Sequence, residues 1–407
     1  MRKYTLNDLA PADVAGKRVL VRVDYNVPLD DNLEVTDDTR IRTTLPTLNW
    51  LIDAGARIVL LAHFGRPKGK PVPEMSLRPA AVRLSELLNR PVQFLEVTTG
   101  PEALAASEAL GRGEVLLLEN TRYDAREEKN DPGLADELAE LGDLFVNDAF
   151  GAAHRAHSST VGVIQRIRAK GGLAVAGLLM KTELDYLGHA LDDPARPFVA
   201  ILGGAKISGK IDVIEALLPK TDWLLIGGAM ANTFFKALGY ETGDSLVEDD
   251  RIEMAKALLD KANGRIVLPL DLVVAAEMES GVETRVVDAS VVPAGLKALD
   301  VGPKTVAEYA RILGTARTVL WNGPMGVAEI PEFRAGTEGV AHALVSATEA
   351  GAITVVGGGD SVAALVDLGL QDEVSHVSTG GGASLEFLEG KPLPGVEALS
   401  DAPTGAA

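Results

Sequence analysis

The chain has no cysteine. Disulfides, thiol nucleophiles and cysteine-based zinc sites are therefore excluded. Positive charge is also short: 39 Lys and Arg stand against 58 Asp and Glu, a formal net charge of −19. That balance argues against nucleic acid or an anionic membrane as the main partner. No apolar run approaches membrane-spanning length. The opening Met1-Arg-Lys-Tyr-Thr-Leu-Asn-Asp8 shows no apolar signal region. A cytoplasmic enzyme is the expectation. No period of about 20–50 residues recurs, which excludes a solenoid. No Gly-x-Gly-x-x-Gly follows a predicted strand, which argues against an NAD dehydrogenase.

What is present is a regular alternation. Apolar residues make up 46% of 407, enough for large cores in two or three domains. Strands are expected near 19–23, 57–61, 92–95, 115–118 and 144–146, and later near 198–202, 223–226, 265–268, 318–321, 353–356 and 374–377. Helical patterns separate most of them, among them 39–54, 78–88 and 133–141 in the first half and 211–218, 229–238, 250–262, 305–313, 337–349 and 361–368 in the second. Strand–helix alternation predicts an α/β protein with parallel sheets and helices on both faces. The stretch Ala176–Leu191 has a helical pattern, with Leu178, Leu179, Leu184, Leu187 and Leu191 apolar. Asp192-Asp-Pro-Ala-Arg-Pro197 then stops it. We read this helix as the connection between two α/β lobes. The boundaries expected are 1–175 for the first lobe, 176–197 for the helix and linker, and 198–389 for the second lobe. The final 403–407 reads as a frayed tail.

In open α/β sheets, ligands bind beyond the carboxyl ends of the strands. In the first half those ends carry Asp24, Asn26, His63-Phe64-Gly65-Arg66, Arg122 and His154-Arg155, with Arg40 and Arg42 after the first loop. The planar fork of arginine suits bidentate capture of phosphate and carboxylate. Arg and His at successive strand ends point to a small polyanion. In the second half the strand ends are glycine-rich: Gly203-Gly-Ala-Lys206, Gly227-Gly228, Asn322-Gly-Pro-Met-Gly326, Gly357-Gly-Gly-Asp-Ser361 and Thr379-Gly-Gly-Gly382. Such turns let a phosphorylated ligand lie on the backbone. Asp360 opens a helix; it either caps that helix or holds Mg²⁺ on phosphate oxygens. Glu329 follows a turn and is suited to ribose hydroxyls, or is simply solvated.

The segment Phe198–Lys210 sits at the middle of the chain. It reads as a buried strand, a glycine turn and a helix start, with Lys206 and Lys210 on one helical face. An ordinary turn with solvated lysines has the same pattern. Gly204-x-x-x-x-Gly209-Lys210 is most of a phosphate-binding P-loop, but Ile211 stands where that loop needs a metal-ligating Ser or Thr. A P-loop NTPase is therefore disfavoured. A two-lobed solute-binding protein remains the non-catalytic alternative. One lobe for a polyanion and one for a nucleotide with a metal is the expected layout for phosphoryl transfer with closure.

Nine motifs, in order, resemble phosphoglycerate kinases along nearly the whole chain. They are Arg22-Val-Asp-Tyr-Asn-Val-Pro28, Thr36-Asp-Asp-Thr-Arg-Ile-Arg42, His63-Phe-Gly-Arg-Pro-Lys68, Glu119-Asn-Thr-Arg122, the run Asp148–Ser159, Gly203-Gly-Ala-Lys206, Asp300-Val-Gly-Pro-Lys304, Trp321-Asn-Gly-Pro-Met-Gly-Val327 and Gly357-Gly-Gly-Asp-Ser361. The resemblance implies two Rossmann-like lobes, a monomer, and a C-terminal tail (390–407) packed back on the first lobe. It implies reversible transfer between 1,3-bisphosphoglycerate with MgADP and 3-phosphoglycerate with MgATP. Carried over by motif, Asp24, Asn26, Arg40, His63, Phe64, Gly65, Arg66, Arg122 and Arg155 would bind the glycerate. Lys206, Lys210, Gly302, Glu329, Gly358, Gly359, Asp360 and Ser361 would bind nucleotide, with Asp360 on Mg²⁺. Arg40 and Lys206 would act on the moving phosphoryl group. Tyr25, Phe64, Gly209 and Ala328 depart from the family pattern, and only Ala328 bears on adenosine packing.

Overall fold

The computed structural model describes residues 2–402. The chain divides into two compact units: residues 1–184 with 392–407, and residues 185–391. The tail expected to fray at 403–407 lies outside the described residues.

The first unit is built on six parallel strands, β1 (Arg18–Val23), β2 (Arg57–Leu61), β3 (Val92–Leu95), β4 (Val115–Leu118), β5 (Leu144–Asp148) and β6 (Ala174–Ala176). Their order is β3-β4-β2-β1-β5-β6. The central strands are buried along nearly their whole length, so they read as near-continuous apolar runs rather than alternating ones. Helices cover the sheet, and Leu48, Leu51 and Leu84 pack on Val19, Val21, Ile58 and Leu60. The helix expected over 39–54 is two: Thr39–Arg42 and Leu45–Asp53. Pro46 explains the break, since proline favours the first turn of a helix over its interior. At the end of β5, a single-turn π-helix (Ser158–Gly162) leads into the helix Val163–Ala169. Residues 394–402 pair with the start of the chain: Tyr4 N–H donates to the Ser400 carbonyl at 2.9 Å, and Lys3 pairs with Asp401 at 2.7 Å.

The second unit has the strands β7 (Phe198–Leu202), β8 (Trp223–Ile226), β9 (Glu241–Thr242), β10 (Ile266–Val267), β11 (Asp271–Ala275), β12 (Arg285–Asp288), β13 (Val291–Val292), β14 (Lys297–Val301), β15 (Thr318–Asn322), β16 (Ile353–Gly357) and β17 (His376–Val377). Six form a parallel sheet in the order β10-β8-β7-β15-β16-β17. Its core joins Val199, Ile201, Val319, Trp321 and Val356 to Val340, Leu344 and Leu365 on the covering helices. Two smaller sheets were not expected from the sequence: antiparallel β12-β11-β14, and the short parallel pair β13-β9. β12 is largely exposed, so it lacks the apolar run that marks a core strand. The helix expected at 176–191 spans Leu178–Asp192.

In both large sheets the strand order reverses at the centre. β1 lies between β2 and β5, and β7 lies between β8 and β15. The crevice at such a reversal, beyond the strand carboxyl ends, is where ligands bind in this class of sheet.

Candidate active site

In the first unit the switch point gathers polar side chains from β1, β2, β4 and the loops after them. Asp24 follows β1 and pairs with Arg40 at 2.6 Å. It also accepts the Asn26 N–H at 3.2 Å. Burial alone would push the Asp24 carboxyl up, but its cationic surroundings, Arg40 and Arg22 among them, hold it below its ordinary value. His63 follows β2. Burial drives its pKa down to about 3; Asp24 opposes that, while Arg22, Arg122 and Arg40 reinforce it. His63 is therefore a neutral imidazole at physiological pH.

The loop His63–Arg66 is held from three sides. Gly65 N–H donates to Asn26 Oδ1 at 2.8 Å. Phe64 N–H donates to Asn120 Oδ1 at 3.1 Å, and Asn120 Nδ2 donates back to the Phe64 carbonyl at 2.7 Å. Arg122 Nη1 donates to the Gly65 carbonyl at 2.8 Å. Gly65 has φ 59°, a left-handed conformation that favours glycine. Arg66 is exposed and adjacent enough to Arg122 to repel its charge. Arg155 is exposed, and its Nε donates to His154 Nε2 at 3.0 Å. Asp24, Asn26, Arg40, His63, Phe64, Gly65 and Arg122 thus form one connected group, with Arg66 against it. Arg155 stands further out, with its charge felt at His157.

A separate groove in this unit, lined by Asp38, Arg42, Arg78, Val82 and Arg83, plays no part in this group. Its arginines are already paired with Asp38, Glu86 and Glu96.

In the second unit the loops after β7, β8 and β15 meet backbone to backbone, and the loop after β16 joins them through side chains. A Cβ on Gly203 would lie 2.0 Å from the Pro324 carbonyl oxygen, and one on Gly323 would lie 2.3 Å from that of Gly203. These two glycines serve loop-on-loop contact. Gly204, Gly209 and Gly359 face open space instead, leaving their backbone accessible. Trp321 Nε1 donates to the Gly323 carbonyl at 2.8 Å, and Gly323 N–H donates to Ser361 Oγ at 2.7 Å. Ser361 is buried and ties the β15 turn to the helix Gly359–Asp367.

Lys206 and Lys210 do not share a helical face, contrary to expectation. Lys206 precedes a 3₁₀ turn (Ile207–Gly209), and Lys210 has φ −129° where that turn hands over to the helix Ile211–Leu217. The Gly-rich segment turns too tightly for an α-helix to start at Lys206. Lys206 is exposed beside Glu248, whose carboxylate accepts from Ser208 N–H at 3.1 Å and from its hydroxyl. Lys210 donates to Asn322 Oδ1. Burial lowers its pKa to about 8, against the pull of Asp360 and Glu389, so it stays largely protonated at neutral pH.

Asp360 is exposed in the first turn of its helix, where the N-cap is Gly358 with φ 88° and no side-chain cap is made. The capping role left open by the sequence is therefore not the one it has. Gly302 is buried against the Asp271 carboxylate, a Cβ there falling 2.3 Å from Cγ. Glu329 is exposed on the loop that Val327 N–H ties to the Leu299 carbonyl at 3.0 Å.

Among the described residues no group of three or more Asp, Glu or His could hold a metal ion. The free Asp360 carboxylate fits Mg²⁺ bound mainly to nucleotide phosphates, because Mg²⁺ commonly takes only one or two protein carboxylates.

Four residues escaped the sequence reading of the sites. Asn322 is buried, with Nδ2 unpartnered and its amide against Gly358. Asn120 is the hub of the His63 loop. Arg22 and Glu127 are buried charges, and Arg22 Nη2 lies 3.1 Å from His63 Nδ1. A polar or charged residue inside an otherwise apolar strand was the available signal for Arg22 and Asn322.

The profile of the family described as "Phosphoglycerate kinase" matches residues 7–391. A phosphoglycerate kinase of Chloroflexus aurantiacus is 56% identical over 407 residues, covering 99% of this chain and 100% of its own. That of Herpetosiphon aurantiacus is 56% identical over 404 residues, covering 98% and 100%. The solved phosphoglycerate kinase of Coxiella burnetii superposes with a TM-score of 0.86 at 41% identity, covering 97% of this chain and 98% of its own. These full-length matches, at the fold and in sequence, show that the chain belongs to the phosphoglycerate kinase family.

Proposed function

We propose that the chain catalyses reversible phosphoryl transfer between 1,3-bisphosphoglycerate with MgADP and 3-phosphoglycerate with MgATP. The observation that carries this is the pair of switch-point clusters. One offers Arg40, Arg66, Arg122 and neutral His63 to a polyanion; the other offers Lys206, Lys210, Asn322 and Asp360 to a phosphorylated nucleotide.

In this reading the attacking group, in the ATP-consuming direction, is the 1-carboxylate of 3-phosphoglycerate. It has no proton to lose, so no general base is needed. Asp24 and Asn26 orient Arg40 and the His63 loop, while Arg66, Arg122 and Arg155 hold the distal phosphate. Arg40 and Lys206 neutralise charge on the group in transfer; each donor of this kind contributes about 2.7–4 kcal/mol to the transition state. Gly358, Gly359 and Ser361 form the helix start for nucleotide phosphates, and Gly302 and Glu329 lie toward the nucleoside. Asp360 would hold Mg²⁺, which when bound would supply charge screening to the nucleotide phosphates.

Transfer demands reacting atoms about 3–3.5 Å apart. Hinge motion near the helix Leu178–Asp192 and the glycines 380–382 would bring the two substrates together. A monomer in the cytoplasm is the accompanying expectation. The test is a coupled assay of ADP-dependent ATP formation from 1,3-bisphosphoglycerate. Ligand binding without turnover would refute the assignment in favour of a binding protein.

A further inference from the structure

We propose that Glu127, Ser159 and Arg22 form a buried relay that fixes the His63 tautomer, so that His63 presents Nε2–H to the glycerate ligand. The second half of this statement rests on His63 being a substrate-binding residue.

Arg22 lies in β1 and is 1% exposed. A guanidinium buried so deeply is costly unless its donors and its charge are met. Its donors are met on three sides. Nε donates to Ser159 Oγ at 2.9 Å, Nη1 donates to the Val23 carbonyl, and Nη2 lies 3.1 Å from His63 Nδ1. Its charge is met by Glu127 and Asp24, while Arg122 opposes it. Glu127 is fully buried and sits one hydroxyl away. Ser159 donates its hydroxyl to Oε1 at 2.5 Å and its N–H to Oε2 at 3.0 Å. One serine thus joins the carboxylate to the guanidinium.

The consequence for His63 follows from donor chemistry. A guanidinium has only donors. The nitrogen it meets, Nδ1, must therefore be the bare acceptor of a neutral imidazole, and the proton must sit on Nε2. The charged groups facing the ring are Asp24, Arg22, Arg122 and Arg40. Three cations to one anion, together with burial, keep the ring neutral. His63 then acts as a donor of fixed polarity, suited to a carboxylate or phosphate oxygen. Glu127 and Ser159 are positioning residues: neither meets the ring, and both act through Arg22.

The experiment is ¹⁵N NMR of side-chain imidazoles in the intact protein, with His63 assigned by the loss of its signals in His63→Gln. The expected wild-type result is a pyridine-type Nδ1, a pyrrole-type Nε2, and no titration between pH 5 and 8. A proton on Nδ1, or titration in that range, overturns the proposal without any relay variant. The double variant Arg22→Met/Glu127→Gln removes both buried charges together and so avoids stranding either one. In it Nδ1 loses its donor, and the two neutral tautomers should mix. KM for 3-phosphoglycerate should rise about tenfold with KM for the nucleotide unchanged.

Ser159→Ala cuts the link while keeping both charges, and should show the same changes in smaller measure. Ring signals and KM identical to wild type in Ser159→Ala would refute the relay. Altered ring signals with an unchanged KM would uphold the relay and refute the reading of His63 as a ligand-binding group.

Discussion

Replacing Asp148 by Asn should change how stability depends on pH in the first unit. Asp148 ends β5 and is fully buried. Its Oδ1 accepts the Met180 N–H at 3.2 Å, in the first turn of the helix Leu178–Asp192, and its Oδ2 has no hydrogen bond of ordinary geometry. Gly177 packs against it so closely that a Cβ would lie 2.1 Å from Oδ1. Burial raises the carboxyl pKa from 3.8 to about 7, only partly offset by the Thr47 hydroxyl and the backbone N–H groups of Met180 and Leu179.

The folded state therefore keeps a proton that the unfolded chain releases. The stabilisation from that proton is fully present below about 3.8, the value of the unfolded chain, and is lost as pH rises toward about 7. At 1.36 kcal/mol per pH unit the whole loss is about 4 kcal/mol, of which about 3 kcal/mol falls between pH 5 and 8. An amide does not titrate, so Asp148→Asn should gain that much on the wild type across the interval. For a unit of this size the gain corresponds to a relative rise of about 6–12 °C in melting temperature. Scanning calorimetry of both proteins at pH 5, 6, 7 and 8 measures it. Asp300, raised to about 7 by burial in the second unit, titrates alike in both proteins and cancels in the difference. A difference that stays flat from pH 5 to 8 would show that Asp148 is already ionised in the fold.

Arg40→Ala should lower kcat by about 10²–10³ while KM for 3-phosphoglycerate changes little; a near-normal kcat with a raised KM would move Arg40 to plain ground-state binding. Asp360→Asn should weaken MgADP binding in a calorimetric titration and leave 3-phosphoglycerate binding unchanged, and parent-like MgADP binding would remove it from the metal site. Gly203→Ala must push aside the Pro324 carbonyl now 2.0 Å from the new Cβ. It should cost about 1–3 kcal/mol of stability and raise KM for the nucleotide. Unchanged nucleotide kinetics would detach that loop from the site.

The order of strands and helices was legible in the sequence because a strand covered on both faces must be apolar throughout, as Phe198–Leu202 and Val115–Leu118 are. Several strand ends were legible too, since Gly, Asp, Asn, His or Arg follow the apolar runs of β1, β2, β7, β15 and β16. That sufficed to nominate Asp24, His63, Arg122 and Asp360. What the linear pattern could not carry was contact between distant loops. Arg22 meets His63 only because β1 pairs with β2 in a register that sets Arg22 beside Leu61. Glu127 reaches Arg22 only through Ser159, 32 residues further along. Asp360 is free of a capping role only because Gly358 takes the N-cap position. Local periodicity determines the elements, whereas partnership among buried polar groups depends on which strand ends the sheet order makes neighbours, and only the tertiary structure decided that.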